Sequence, residues 1–245
     1  PPHWVPPDFV EQVVKRSQLP ETVCLLDDGV LEHIAAALAA HPWVERVRCV
    51  RKSAGEGIVV ELDYRRPVAM VNVKQGVYPV DARGILLPPG DFSPADVSRY
   101  PAVLNVASVP QGAPGTEWGD ATVTGAARLA SVLTQTRGGA ESPWKRLGLS
   151  AILVPDRTEA EPAADELTYQ LLTPGQSRIV WGRAPGSDHP GELSDEQKIG
   201  RLDKYCQDFG GFDQSHGPYE IDIRHWREIS RRPISAARKR GGARR

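Results

Sequence analysis

The placement of proline and glycine constrains the fold of this chain more than any other feature. The 22 prolines and 23 glycines are spread along 245 residues and separate many short apolar runs. Proline fixes φ and lacks an amide donor, and glycine favours turns, so both residues interrupt regular structure. The pattern predicts many short strands and turns rather than long disorder.

The overall composition is that of a folded protein without a membrane span. The chain has 31 acidic and 30 basic residues and is 40% hydrophobic, so it can form one large domain or two smaller ones. Apolar stretches such as 23–26 and 35–40 fall far short of the roughly 20 residues that cross a bilayer. The first residues lack the features of a secretory signal. If the protein acts outside the cytoplasm, we expect its targeting segment to lie beyond this sequence.

Cysteine and histidine spacing does not indicate a metal site or a disulfide framework. Cys24, Cys49 and Cys206 are widely spaced and odd in number, so we expect them to be small core residues. The six histidines do not recur at metal-binding spacings. A site assembled only in three dimensions stays open, but no metal and no cofactor is predicted.

The N-terminal part predicts two helices followed by a β-hairpin. The first helix is expected over 8–18, and the second begins after Asp27-Asp28, which would stabilise its start, and ends at His41-Pro42. β-branched and alternating residues predict strands over 43–52 and 58–65, joined by a turn. The residues expected on the buried sides of the helices are Phe9, Val10, Val13 and Val14, then Leu31, Ile34 and Leu38.

From Pro67 the sequence changes to short strands separated by turns. Strands are expected over 68–74, 77–80, 85–87, 149–154, 167–172, 178–181 and 219–226, and helices over 120–137 and 194–209, the second with Ile199, Leu202 and Cys206 facing inward. The predicted class is α+β: a helix and hairpin domain at 1–66, then a mixed β-sheet domain flanked by helices at 67–232. The basic segment 233–245 is expected to be disordered.

The last predicted strand, 219–226, differs from the others because a polar, extended segment follows it. Nothing later in the sequence is expected to cover this strand. An exposed edge can accept a partner strand through backbone hydrogen bonds. The residues predicted to form this partner-binding edge are Trp226, Arg227, Glu228, Ile229, Ser230, Arg231 and Arg232.

Two other functions, catalysis and binding to nucleic acid or anionic lipid, have weaker support in the sequence than partner binding. The segment Gln214-Ser215-His216-Gly217 resembles a nucleophile elbow, but Asp213 replaces its first glycine and no helix is predicted to follow, so catalysis is not expected. The C-terminal arginines and lysine could contact nucleic acid or anionic lipid. A solvated tail is favoured and no nucleic acid is expected, because no aromatic platform accompanies them. These basic residues are Arg224, Arg227, Arg231, Arg232, Arg238, Lys239, Arg240, Arg244 and Arg245.

Several ordered groups of residues resemble hallmarks of the bacterial cell-division family FtsQ/DivIB. They are Pro42-Trp43-Val44, then Val47 and Arg51, Arg65-Arg66-Pro67-Val68-Ala69, the run Val80-Asp81-Ala82-Arg83-Gly84-Ile85, then Gly182, Lys198 and Leu202, and finally Ile221-Asp222-Ile223-Arg224-His225. The resemblance covers most of the chain, and its order and spacing match the family.

The resemblance implies a POTRA domain up to Arg66, a β-domain from Pro67 to Arg232, and an upstream helix that anchors the protein in the inner membrane with this part in the periplasm. It implies a scaffold of the divisome that is not an enzyme. Its POTRA part would contact division proteins, and its last strand, at Trp226 to Arg232, would pair with a coiled-coil complex of the FtsB/FtsL type. Lipid contact by the basic tail stays open.

The chain also departs from the family. The family's first POTRA strand is not recognisable, Tyr64 replaces a usual glutamate, Trp226-Arg227-Glu228 replaces the usual turn, and the loops 112–119 and 155–165 look enlarged. These differences leave the identity of the division partner open. Two alternatives remain: a POTRA-containing assembly factor for outer-membrane or envelope proteins, and a hydrolase using Ser215 and His216 or an assembled acid pair.

Overall fold

The structure is a computed structural model, and it describes residues 1–17, 29–53, 57–136, 138–156, 166–187 and 189–234. Within these ranges the predicted α+β class is confirmed: helices accompany a two-stranded sheet and a mixed eight-stranded sheet. The chain divides into two compact units, the first from Pro1 to Ser131 and the second from Val132 onward. The predicted domain boundary at Pro67 lies inside the first unit and stays a prediction.

The first unit begins with the predicted helices and hairpin. Helix α1 spans Phe9–Ser17 and α2 spans Val30–Ala39, and strands β1 (Val44–Ser53) and β2 (Gly57–Tyr64) pair antiparallel. This arrangement confirms the predictions made from the apolar spacing.

A cluster around the fully buried Trp43 forms the core of this part. Phe9 and Val13 of α1 and Leu38 of α2 are buried in the cluster, and Ile34 is partly buried against it. The expectation for Val10 was wrong: its side chain is 66% exposed, because α1 has a narrow buried side formed by Phe9 and Val13. The other expected members, Val14 and Leu31, are half-buried.

The first unit continues into three strands of the larger sheet. Strand β3 (Pro67–Val73) pairs antiparallel with β4 (Gly76–Asp81) and parallel with β5 (Ala102–Leu104). A short 3₁₀ turn at Pro89–Asp91 and a one-turn helix α3 (Pro94–Val97) lie between β4 and β5. Helix α4, predicted over 120–137, spans Ala121–Thr134.

The second unit contains the other five strands of the larger sheet. In chain order its elements are α5 (Pro143–Arg146), β6 (Ala151–Leu153), β7 (Tyr169–Leu172), β8 (Arg178–Gly182), α6 (Asp195–Phe209), β9 (Tyr219–Asp222) and β10 (Ser230–Pro233). The spatial order in this unit is β10-β9-β8-β7-β6. Helix α6 connects β8 to the parallel strand β9, and all other pairings in the unit are antiparallel.

Helix α6 buries a different set of residues from the predicted one. Leu202 is fully buried as expected, but Ile199 and Cys206 are only partly buried, whereas Lys198 and Tyr205 are buried. The Lys198 ammonium lies 2.5 Å from a carboxylate oxygen of Glu192. A lysine can be buried at this position because its charge is paired there.

The end of the sheet also differs from the prediction. The strand expected over 219–226 ends at Asp222, and a further strand, β10, pairs with it. The edge of the sheet is therefore β10 and not the strand that begins at Tyr219. The sequence Ser-Arg-Arg-Pro of β10 has no alternating apolar residues, so its strand character could not be recognised from periodicity.

Some predictions concern residues outside the described ranges. They are the core position of Cys24, the helix start at Asp27-Asp28, the tip of the hairpin at 54–56, most of the loop 155–165, and the basic tail from residue 235 onward, which includes Arg238, Lys239, Arg240, Arg244 and Arg245. Pro233, the first residue of the predicted tail, is instead the last residue of β10.

Candidate partner-binding edge

Strand β10 is the terminal strand of the larger sheet and is held mainly by its backbone. Its four residues, Ser230 to Pro233, are all exposed. They lie opposite Asp222, Ile221, Glu220 and Tyr219 of β9 in antiparallel register. The strand therefore contributes no buried apolar side chain, and its outer side is a free sheet edge within the part of the chain that the structure describes.

The register determines which backbone groups face outward. The amide of Ile234 donates to the carbonyl of Pro218 at 2.8 Å, so the residue after β10 directs its backbone toward the β9 side. Because backbone direction alternates along a strand, Ser230 and Arg232 also face β9, whereas Arg231 and Pro233 face outward. Extending the same alternation one residue before β10, we expect Ile229 to present an outward amide as well. The free edge would thus offer two donors, at Ile229 and Arg231.

The side chains of the two arginines of β10 lie on opposite faces of the strand, and each is held by contacts there. Arg232 forms an ion pair with Glu220, the residue opposite it on β9, with its Nε donating at 2.8 Å. The Arg231 guanidinium lies 4.8 Å from the ring centre of Phe209 and 4.7 Å from that of Tyr219. Arg231 also donates to the side-chain oxygen of Gln214 at 3.1 Å. The guanidiniums of Arg231 and Arg232 therefore both contact side chains of this protein.

Trp226 lies in the segment between β9 and β10 and is exposed to solvent. Its side chain is 69% exposed, and the guanidinium of Arg227 lies 4.6 Å from the ring centre. A cavity of about 360 Å³ lies beside this tryptophan. Its other walls include Arg183, His189, Glu192, Arg224 and His225.

The family-like pair Asp222 and Arg224 closes the end of β9. The Arg224 guanidinium contacts the Asp222 carboxylate at 2.7 Å, and the Arg224 amide donates to the same carboxylate at 3.0 Å. Burial by itself would raise the pKa of Asp222, but the bonds from Arg224 outweigh it and the net shift is downward. The lowered pKa favours the ionised carboxylate, which binds Arg224 where β9 ends.

Other family-like residues lie in the first unit and hold its fold. Pro42, Trp43 and Val44 connect α2 to β1, and the fully buried Trp43 donates its indole N–H to Asp91 at 2.7 Å. Pro67 begins β3 opposite Asp81. None of these described side chains is free for a partner strand.

Asp81 organises the turn after β4. Its carboxylate pairs with Arg65 at 2.8 Å and accepts the amide of Arg83 at 2.8 Å and of Ile85 at 2.9 Å. Gly84 has φ +76°, and a Cβ there would lie 3.0 Å from the hydroxyl of Thr124. This position therefore favours glycine for both its conformation and its space.

The Ser215 and His216 side chains contact each other, and the nearby Asp213 carboxylate is used elsewhere. The Ser215 hydroxyl lies 3.1 Å from Nδ1 of His216, and both residues are exposed. The nearby Asp213 carboxylate accepts the hydroxyl of Thr173 and the amide of Gly175 instead. Within the described ranges, no group of three or more His, Cys, Asp or Glu residues could hold a metal ion.

Comparison with models of known protein families gave no match, and a search of curated proteins also gave none. The resemblance to FtsQ/DivIB therefore depends on the residue groups quoted above. In the described residues, no helix combines the length and the apolar character needed to cross a membrane.

Proposed function

We propose that this chain is the extracytoplasmic part of a membrane-anchored scaffold of bacterial cell division, and that it binds a partner by adding a strand to β10. The scaffold has no catalytic role. Its partner is a coiled-coil complex of the FtsB/FtsL type, and its POTRA part contacts other division proteins.

The observation that carries this proposal is the exposure of the sheet edge at β10 and its unpaired backbone groups. β10 is terminal, fully exposed and free of buried side chains; its outward backbone donor lies at Arg231, and the preceding Ile229 is expected to add a second. A short terminal strand with unpaired backbone groups is the geometry that strand addition uses. The edge also overlaps Trp226 to Arg232, the segment to which the family resemblance assigns partner binding.

The residue types at the edge also favour pairing with a specific partner over aggregation. Arginines and a proline are typical of edges that resist pairing with unrelated strands. The neighbouring Trp226 supplies an exposed aromatic surface that a partner side chain can cover. Specificity would then come from contacts beside the strand, and affinity from the backbone.

A proline substitution tests the proposal. Ile229→Pro removes one outward amide and leaves the amides that face β9. We expect it to weaken binding of the purified FtsB/FtsL-type complex from the same organism by about tenfold or more, since the loss of an important interface contact costs over 1 kcal/mol. Titration by calorimetry or interferometry gives the Kd.

Ile229→Ala is the matched control, because it shortens the same side chain but keeps the amide. It should bind within about threefold of the wild type. Equal weakening by both substitutions would mean that the side chain, and not the edge, carries binding. Unchanged binding by Ile229→Pro would move the site away from β10, and lack of binding by the wild type would overturn the proposed partner class.

A further inference from the structure

A single arginine of α6 holds the segment that leads into β10. Arg201 donates from Nη1 to the carbonyl of Trp226 at 3.1 Å and from Nη2 to the carbonyl of Glu228 at 2.5 Å. Its Nε is buried and has no hydrogen-bond partner among the described residues. The half-buried guanidinium is thus used as a two-pronged donor rather than as a mobile surface charge.

The helix that carries Arg201 is itself firmly anchored. The next residue, Leu202, is fully buried, and Lys198 and Tyr205 are buried one turn to either side. The helix begins with a capping box between Ser194 and Gln197. Arg201 therefore presents its donors from a fixed position.

The segment that Arg201 holds has few other attachments. Residues 224–228 and β10 are all exposed, and no buried apolar side chain connects them to the sheet. Besides the two bonds to the Trp226 and Glu228 carbonyls, this segment is held at its ends by the Arg224–Asp222 bonds and by the ladder with β9, with contacts from Arg231 and Arg232. Segments with few buried contacts open most easily.

The two bonds also set the backbone direction before the strand begins. Arg201 holds the carbonyl of Glu228, and the backbones of Ser230 and Arg232 face β9, so Ile229 lies between two attached positions. With both neighbours held, we expect the Ile229 backbone to face outward, one residue before β10 starts. The free edge would then extend from Ser230–Pro233 to 229–233.

We propose that Arg201 is the positioning residue of the partner-binding edge, keeping residues 226–228 against α6 so that a partner strand can pair from Ile229 to Pro233. This inference rests on the proposed function. Arg201 itself does not touch the partner; it acts through the two carbonyls. Its contribution is to order the edge before binding, which reduces the entropy lost in the complex.

The test compares Arg201→Gln and Arg201→Lys with Arg146→Gln as the matched control. Arg146 is also an arginine of the second unit bound to α6, through two bonds to Asp203 at 2.9 and 2.8 Å, but it does not contact the edge segment. Lysine keeps the charge of Arg201 and loses the fork, so it separates geometry from charge.

The first readout is hydrogen exchange of the free protein, followed by mass spectrometry. Arg201→Gln should speed exchange in peptides covering 224–233 by about tenfold, as expected for loss of local restraints, and leave peptides of β7, β8 and α6 unchanged. Arg146→Gln should leave 224–233 unchanged. Equal acceleration over the whole unit, or none in 224–233, would overturn the positioning role.

The second readout is the Kd for the purified FtsB/FtsL-type complex. Arg201→Gln should raise it about tenfold and Arg201→Lys by a similar factor, with Arg146→Gln close to wild type. Faster exchange at 224–233 with an unchanged Kd would overturn the inference while leaving the proposed function intact. Failure of the wild type to bind would instead overturn the proposed function, and the role of Arg201 in partner binding with it.

Discussion

Asp81 concentrates three interactions of the first unit in one nearly buried carboxylate. Its side chain is 6% exposed, and it serves the Arg65 guanidinium and two backbone amides at the same time. Removing one member of a buried ion pair leaves the other charge uncompensated, which costs more than the pair contributes net. This explains why the family-like Arg-x-Pro and Val-Asp-x-x-Gly groups occur together in the sequence.

Asp81→Ala should therefore lower the free energy of unfolding of the first unit by about 3 kcal/mol. The loss follows from the uncompensated Arg65 and the two freed amides of the turn. Chemical denaturation followed by tryptophan fluorescence measures it.

The control is an exposed ion pair in the same unit. Arg48 and Asp63 lie 2.7 Å apart across the hairpin, with the arginine side chain 62% exposed. Asp63→Ala should cost less than about 1 kcal/mol, because solvent screens such pairs. Similar losses for Asp63→Ala and Asp81→Ala would refute the assignment of a special structural role to Asp81.

At the scale of elements, His41 joins helix α1 to the start of the hairpin. Its ring packs edge-on against Phe9, with centres 4.7 Å apart, and its Nδ1 accepts the amide of Trp43 at 3.3 Å. Burial, with a smaller contribution from Arg16, lowers the pKa of His41 to about 4, against the opposing effects of Asp91 and Asp8. The folded protein therefore holds this histidine neutral.

The stability of the first unit should consequently fall on acidification. The unfolded chain protonates His41 near pH 6.5, so the full contribution is present above that pH and is lost as the pH drops toward 4. The loss is at most about 3 kcal/mol. Denaturation of His41→Gln between pH 7 and 4 should lack this slope, whereas His33→Gln, an exposed control, should keep it. An unchanged slope in His41→Gln would contradict the assignment.

Elements with a strong period could be predicted from the sequence, and those held by polar contacts could not. The helix after Gly29 and the strands of the hairpin follow directly from apolar spacing at 3.6 and 2 residues. β10 was missed because Arg231 and Arg232 fix it through rings and a carboxylate that come from other elements. Lys198 was overlooked as a buried residue for the same reason, since its partner Glu192 lies outside the helix.

The candidate partner-binding edge was also only partly predictable from the sequence. The sequence placed the edge within 226–232 from its polar, extended character, but it assigned the exposed edge to the strand that begins at Tyr219. Only the register reveals that Arg231 faces outward and that Ser230 and Arg232 do not. The contacts of Arg201 with the carbonyls of Trp226 and Glu228 carry no sequence signal, because backbone carbonyls exist at every position.

At the scale of the whole molecule, the proposal assigns different roles to different parts of the chain. The family-like residues of the first unit are used inside its fold, around Trp43 and Asp81. In the second unit, the described residues 224–233 combine exposure, positive charge and a free strand edge. The central claim is that partner recognition takes place by backbone pairing at β10.

Amide hydrogen exchange resolved by NMR, with and without the FtsB/FtsL-type complex, tests this claim most directly. In the free protein, the amides of Ser230 and Arg232 should already be protected by β9 and those of Ile229 and Arg231 should exchange quickly. On binding, protection at Ile229 and Arg231 should rise by at least about tenfold. Binding that leaves these two amides as fast as in the free protein would contradict strand addition at β10.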